Sequence, residues 1–383
     1  MGISSEIWPG VAPQWPELAV GGPLLTSPGW LGSMSGRFGD RTDTVLVTQD
    51  GEPEVAALAT VQSAPAPGEF FDLHHVLVSP ALVLPLTDAA RAARADLVSS
   101  APPPDCWVPN LVVMLPGYEC VPVGPGRDDV KLLGELADGA CRWAEQQNLP
   151  TVAFLYTHRE PAGLGTALAD RGFIAIPLSL TWVLPLSAGG LSDYLAALPR
   201  KRRREATREM RRLEEAGVSV RRLDCGELLA ESTLATMAAL RAQMVRKYRG
   251  RADVRRERTK IEFVLADVCA GRAEVFAAEA DGTMIGFSLF CPHGDCWYCL
   301  AAGYDYADPR SRFCYFATAF YGAVPAAAQA GVRSLAYGQG SGDAKRSRGC
   351  VGQPLTGWVR SADPALTAAV LASAEITELQ PAS

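Results

Sequence analysis

The chain has 383 residues, 48% of them apolar and 20% charged, with a formal charge of −6. That balance excludes a disordered or fibrous chain and supplies enough apolar surface for about two packed domains. Met1 to Leu25 has prolines and acidic groups but no basic start ahead of an apolar run, and the apolar segment 174–186 is interrupted by Pro177 and Pro185. A secretory leader, a membrane-spanning helix and membrane insertion are therefore not expected, and the reading is a soluble cytoplasmic protein.

The charge is unevenly placed. Residues 200–260 carry 19 Lys and Arg against 9 Asp and Glu, which leaves the other 322 residues at −16. A segregated positive field of this kind points to phosphate-bearing ligands or nucleic acid. The ten cysteines sit mostly in apolar runs and read as reduced core thiols. Cys291, His293, Cys296 and Cys299 are the one cluster with zinc-like composition, but strand alternation sends Cys296 and Cys299 to opposite faces, so no metal is expected.

In chain order, residues 1–41 are rich in Gly and Pro and predict an irregular lead-in anchored by Trp8, Trp15 and Trp30. Two apolar runs around Asp50-Gly51 predict a hairpin from Val45 to Val61. His74 and His75 head a short apolar run read at a period of two, which turns one of them inward. A helix is predicted over 87–99 with Thr87 as its N-cap, then a loop at 101–105 and a strand at 110–115. Leu132, Leu133, Leu136, Ala140 and Trp143 set a helical period over 128–147. A strand at 151–156, a short helix at 163–170 and a run at 173–186 complete the first half.

Arg200 to Arg222 follows as a basic helix with Ala206, Met210 and Leu213 as its narrow apolar stripe and Gly217 placed to end it. Five of the six residues from Arg200 to Glu205 are basic. Glu205 with Arg208 and Glu209 with Arg212 are expected intrahelical pairs, so a solvated surface face is the alternative to a ligand-binding one. Helix is predicted again over 227–248 and 261–269, with a second basic run, Arg246 to Lys260, between them. An Asp281-Gly282 hairpin, a strand at 296–302, a helix at 311–330, a strand at 333–337, a short helix within 338–350 and a strand at 354–359 repeat the order of the first half. The expected organisation is a lead-in at 1–41, a first domain at 42–190, a basic connecting helix at 191–225 and a second domain at 226–383.

Hairpin, central strand, loop, helix and next strand, twice over, is the order of the GNAT acyltransferase fold. With a basic helical element between the copies, the chain resembles the Fem-type peptidyltransferases and related tandem-GNAT acyltransferases. The segments LPRKRRREATREMRRLEEAGV from Leu198, Ala301 to Gly340, and GDAKRSRG from Gly342 carry the resemblance. It implies an α/β (α+β) fold of two tandem GNAT-like domains, each a mixed twisted sheet flanked by helices. The pyrophosphate loop usual in acetyltransferases is absent from the second copy, where Asp308-Pro309-Arg310-Ser311-Arg312 stands; Val123 to Arg127 in the first copy is a degenerate version.

The resemblance implies transfer of an aminoacyl group from aminoacyl-tRNA to a small-molecule amine acceptor, with no bound cofactor; an acyl-CoA donor is the alternative, and a non-catalytic nucleic-acid-binding protein a third reading. No G-x-S-x-G elbow or Cys/His pair supports a covalent nucleophile. Lys345, one of five lysines, is placed by the resemblance where an oxyanion or the tRNA end would be stabilised, with Arg346 beside it; a solvated turn lysine is the alternative. Tyr304 and Asp305 follow a strand where the acyl centre is expected, as leaving-group donor and proton acceptor, although core packing and turn formation explain them equally well. Arg310 and Arg312 open a helix and are candidates for phosphate. Arg200, Lys201, Arg202, Arg203, Arg204, Arg208, Lys247 and Arg249 are the expected tRNA contacts, with Tyr337 completing the candidate set.

Overall fold

A computed structural model describes residues 2–34, 39, 41–78, 87–117, 119–187 and 189–378. The chain divides into two compact units, Met1–Leu180 with Gln353–Ser383, and Thr181–Gly352.

The first unit contains β1 (Ile3–Pro9), α1 (Trp15–Leu18), α2 (Pro28–Met34), β2 (Arg41–Gln49), β3 (Glu52–Gln62), α3 (Leu73–Val78), α4 (Asp88–Ser100), β4 (Asn110–Val113), α5 (Val130–Gln146), β5 (Thr151–His158), α6 (Gly163–Ala169) and the start of β6 (Ile174–Pro185). The second takes the rest of β6, then α7 (Gly190–Ala197), α8 (Arg200–Glu215), β7 (Val218–Arg222), α9 (Cys225–Leu228), α10 (Glu231–Arg249), α11 (Val254–Phe263), β8 (Glu274–Ala280), β9 (Thr283–His293), β10 (Cys296–Tyr304), α12 (Cys314–Phe316), α13 (Ala323–Gln329), β11 (Ser334–Gly338) and α14 (Gly342–Arg346). The chain closes with β12 (Val351–Ser361) and α15 (Pro364–Glu378).

Both expected hairpins form for the same local reason. Asp50 and Gly51, like Asp281 and Gly282, have positive φ at both positions, 54° and 91° in the first turn and 51° and 74° in the second. That pairing of left-handed residues matches the twist of the flanking strands. In α5, the Asp129 side chain caps the amides of Lys131 and Leu132, and Leu132, Leu133, Leu136, Ala137, Ala140, Trp143 and Ala144 bury one face.

Strand order in the first unit is β1-β2-β3-β4-β5-β12-β6, and in the second β6-β11-β10-β9-β8-β7. Each unit contains one parallel pair, β4 with β5 over Leu111–Val113 and β10 with β11 over Cys296–Tyr298. The remaining pairings between named strands given by residue register are antiparallel. The repeated order, with a parallel pair at the same step of each copy, is the expected mixed α/β tandem arrangement.

Four expectations change. The lead-in is not irregular throughout: Ile3–Pro9 pairs along its length with β2. His74 and His75 lie on helix α3, whose start Asp72 caps by accepting from the His75 amide at 2.7 Å. Helix does not run to Arg222, because Gly217, at φ 68°, turns the chain into β7. The C-terminal segment does not stay with the second unit: β12 pairs with β5 from Leu355↔His158 to Ser361↔Thr151, so Gln353–Ser383 belongs to the first. The Asp72 cap shows why a short apolar run was ambiguous between helix and strand. Among the described residues no helix is long and apolar enough to cross a membrane.

Candidate functional site

Helix α8 has two chemically distinct faces. Ala206 and Leu213 are buried and Met210 half-buried, which confirms the apolar stripe. Glu209 is on the inward flank, and there its carboxylate accepts from the Tyr321 hydroxyl at 2.7 Å and pairs with Arg348 at 2.6 Å. Arg348 also donates through Nε to the Tyr321 oxygen at 3.0 Å, and its guanidinium lies 3.9 Å from the Phe316 ring centroid. The Tyr194 hydroxyl of α7 caps the Arg348 carbonyl at 3.0 Å. This network fastens the helix to the second unit.

The outward face is different. Arg200, Lys201, Arg203, Arg204 and Arg208 are exposed, and among the described residues none has a carboxylate within ion-pair distance. The expected intrahelical pairs are rearranged: Glu205 takes Arg202 at 2.8 Å rather than Arg208, and Glu209 turns to Arg348 rather than Arg212. Arg200, Arg203, Arg204, Thr207, Arg208 and Arg211 line an open depression of about 700 Å³. No acidic residue occupies the first turn, so Arg200, Lys201 and Arg203 stand unpaired at the positive end of the helix dipole. Each such placement costs about 0.3–1 kcal/mol when unpaired.

The residues expected around the acyl centre are inside the second unit. Lys345 is only 4% exposed, and its ammonium donates to the carbonyls of Tyr337, Gly338 and Gln339 at 2.8, 3.0 and 2.9 Å. With all three N–H bonds engaged, it has no donor left for an oxyanion in this arrangement. Tyr304 is buried, its hydroxyl 3.2 Å from that of Ser288, which in turn meets Thr318 at 2.8 Å. Burial pushes its phenol well above the ordinary tyrosine range. Asp305 closes a turn by accepting from the Ala307 amide at 3.0 Å. Tyr337 stacks on Phe320 with centroids 4.6 Å apart and donates to the Ala319 carbonyl.

The loop that stands at the pyrophosphate position is occupied by its own carboxylate. Asp308 accepts from the Arg310 amide at 2.8 Å and pairs with the Arg310 guanidinium, which also reaches Asp281 at 2.6 Å. Those hydrogen bonds from Arg310 hold the Asp308 carboxyl below its usual range. Arg310 is thus tied into the turn, whereas Arg312 is exposed beside the Phe313 ring. In the first unit the corresponding glycines have packing roles. Gly124 has φ 119°, and a Cβ there would collide with the Glu54 carbonyl; Gly126 donates its amide to that carbonyl at 3.0 Å.

Arg346 is exposed, 3.6 Å from Asp343, with its guanidinium 5.3 Å from the Trp182 ring centroid. Lys247 sits 4.0 Å from the centroid of Tyr306, and Tyr248 is 68% exposed beside it. Arg249 ends α10, and its side chain lies outside the described residues. The same apolar cluster takes Leu213 of α8, Tyr304 at the end of β10 and Met244 of α10. Sequence reasoning missed Tyr248, Tyr306 and Arg348. Interleaving of tyrosine with basic residues was the available signal for the first two; nothing local distinguishes Arg348 from Arg346.

A model of the FemAB-like family, described as peptidoglycan biosynthesis/recognition, matches residues 113–377. The crystal structure of FemX is similar with a TM-score of 0.60 at 12% identity, covering 95% of this chain and 99% of that one. A tandem GNAT protein from the clavulanic acid biosynthesis pathway, solved without AcCoA, gives 0.47 at 15% identity, covering 94% and 99%. No curated protein sequence matches. The likeness to FemX establishes a shared fold, and the family match spans well over half the residues. This chain belongs to the FemAB-like family.

Proposed function

We propose that the chain transfers an aminoacyl group from aminoacyl-tRNA to the amine of a small metabolite or peptidoglycan precursor. The observation that carries this reading is the outward face of α8, where Arg200, Arg203, Arg204 and Arg208 are exposed and without carboxylate partners, Arg200 and Arg203 in a first turn that disfavours them. Retaining unpaired cations against the helix dipole makes sense where a polyanion completes them. Tyr248 and Tyr306 beside Lys247 add rings of the kind on which unpaired bases stack. Acyl-CoA is the weaker donor, because the Asp308 carboxylate occupies the loop in which a diphosphate would be cradled. The reaction forms one C–N bond and breaks the C–O bond to the ribose, whose oxygen takes up a proton; no serine or cysteine intermediate is required.

The test is transfer from a panel of labelled aminoacyl-tRNAs, with and without ribonuclease, beside a panel of acyl-CoAs. Ribonuclease-sensitive transfer is expected; ribonuclease-insensitive transfer from a thioester would overturn the reading. Arg203→Glu with Arg204→Glu should weaken tRNA binding and flatten its salt dependence by about two in log–log slope, roughly one per lost phosphate contact.

A further inference from the structure

Parallel pairing of β4 with β5 ends at Val113 and Phe154. The chain leaving β4 then forms an antiparallel bridge, Leu115↔Glu119, and rejoins β5 through Cys120↔Thr157. Between these points Tyr156 has φ 63°, a left-handed conformation that is a genuine outlier for a bulky residue. Its surroundings hold it there: the ring is buried, its hydroxyl donates to the Phe70 carbonyl at 3.0 Å, and its own carbonyl accepts from the Cys120 amide at 3.0 Å. Strain of roughly 1–3 kcal/mol maintained by such contacts is characteristic of functional positions.

Two residues on, His158 Nε2 lies 3.2 Å from Glu119 Oε2, with side chains 26% and 18% exposed. A proton on Nε2 shared with Glu119 leaves the lone pair on Nδ1, which has no hydrogen-bond partner among the described residues. The strand beside it offers Leu355 and Thr356, which are uncharged. Burial pushes the Cys120 thiol up to about 12, so it stays neutral; Arg159 and Glu160 are exposed in the turn that follows.

We infer that His158, oriented by Glu119, is a general base for an amine-bearing acceptor bound in the first unit. The step balances: R–NH3⁺ gives a proton to Nδ1, the freed lone pair forms the new C–N bond as the acyl C–O bond to the ribose breaks, the nitrogen's second proton passes to the leaving ribose oxygen, and the imidazolium returns its proton to solvent. This rests on the proposed amide-forming activity.

The experiment compares wild type, His158→Ala and Glu119→Gln across nucleophiles of falling basicity. With an alkylamine acceptor near neutral pH, His158→Ala should lose about 100-fold or more in kcat/KM. With hydroxylamine, already unprotonated there, the loss should shrink to a few-fold. Glu119→Gln, which keeps the size of the side chain but removes the carboxylate that orients the ring, should lower kcat/KM with the alkylamine and spare hydroxylamine. Nitrogen-15 spectra of the full chain should show His158 protonated at Nε2, a preference weakened in Glu119→Gln. Equal loss with every nucleophile, or a proton on Nδ1 in the wild type, would overturn the assignment. Wild type that transfers normally while His158→Ala does too would sink it and leave the donor reading intact; no transfer by wild type from any donor would remove both.

Discussion

Lys345 illustrates how far a side chain's neighbours decide its role. Gly338 and Gly340, at φ 63° and 78°, fold the chain after β11 in the region where the carbonyls of residues 337–339 converge on the ammonium. The short helix within 338–350 was legible; the inward direction of the Lys345 side chain was not, because the same residues fit a turn that faces a substrate. Burial lowers the Lys345 pKa from 10.5 to about 8. The unfolded chain therefore binds the extra proton between those values, and stability rises with pH across that window. Seen from the other side, the contribution is complete above 10.5 and is lost as pH falls through 8. Lys345→Met leaves three carbonyls without their donor and should destabilise by about 2–4 kcal/mol near neutrality. The gap between wild type and variant should widen by roughly 3 kcal/mol from pH 8 to 10.5, measured by urea unfolding at several pH values. A gap that is flat or narrows would mean that the ammonium is not desolvated.

At the scale of the element, α8 separates fastening from binding on opposite flanks of one helix. Its apolar stripe was readable from spacing, and Ala206 and Leu213 are buried as the period required. The partner of Glu209 was not readable, since Arg348 lies 139 residues later and competes with an intrahelical arginine only after the second unit has packed. Two substitutions should therefore move two different observables. Glu209→Gln breaks a largely buried pair and leaves Arg348, 2% exposed, without its charge partner; a loss of roughly 3 kcal/mol or more in unfolding free energy is expected. Binding of a polyanion by the folded variant should change little. Arg203→Glu with Arg204→Glu places one acidic group in the first turn, where the dipole favours it, and the other just beyond, so stability should be unchanged or rise by up to about 1 kcal/mol. Affinity for tRNA should fall sharply in the same protein. Loss of stability with the second pair would show that the arginine face is structural.

Across the whole molecule, local signals carried the element order and long-range pairing decided ownership of the last segment. Asp50-Gly51 and Asp281-Gly282 fix their hairpins within four residues, and the helical period of α5 needs only its own side chains. The placement of β12 depends instead on contacts such as Trp358 Nε1 donating to Thr157 at 3.0 Å, separated by 201 positions. No periodicity in 351–361 says which β-strand will receive it. The consequence is testable by ending the chain at Gly352. That truncation removes Leu355, Val359, Leu366, Val370 and Ile376 from the first unit's core, each no more than 4% exposed. At about 2 kcal/mol apiece the loss is on the order of 10 kcal/mol, comparable with the whole stability of a domain. Arg94, buried in α4, would also lose the Ser373 hydroxyl it meets at 3.2 Å. Hydrogen exchange on the shortened chain should find the β5 and α4 amides unprotected, while those of β8, β9 and β10 in the second unit remain slow. Protection lost first in β8 to β10, with β5 intact, would mean that residues 353–383 stabilise the second unit, as a contiguous C-terminal domain would require.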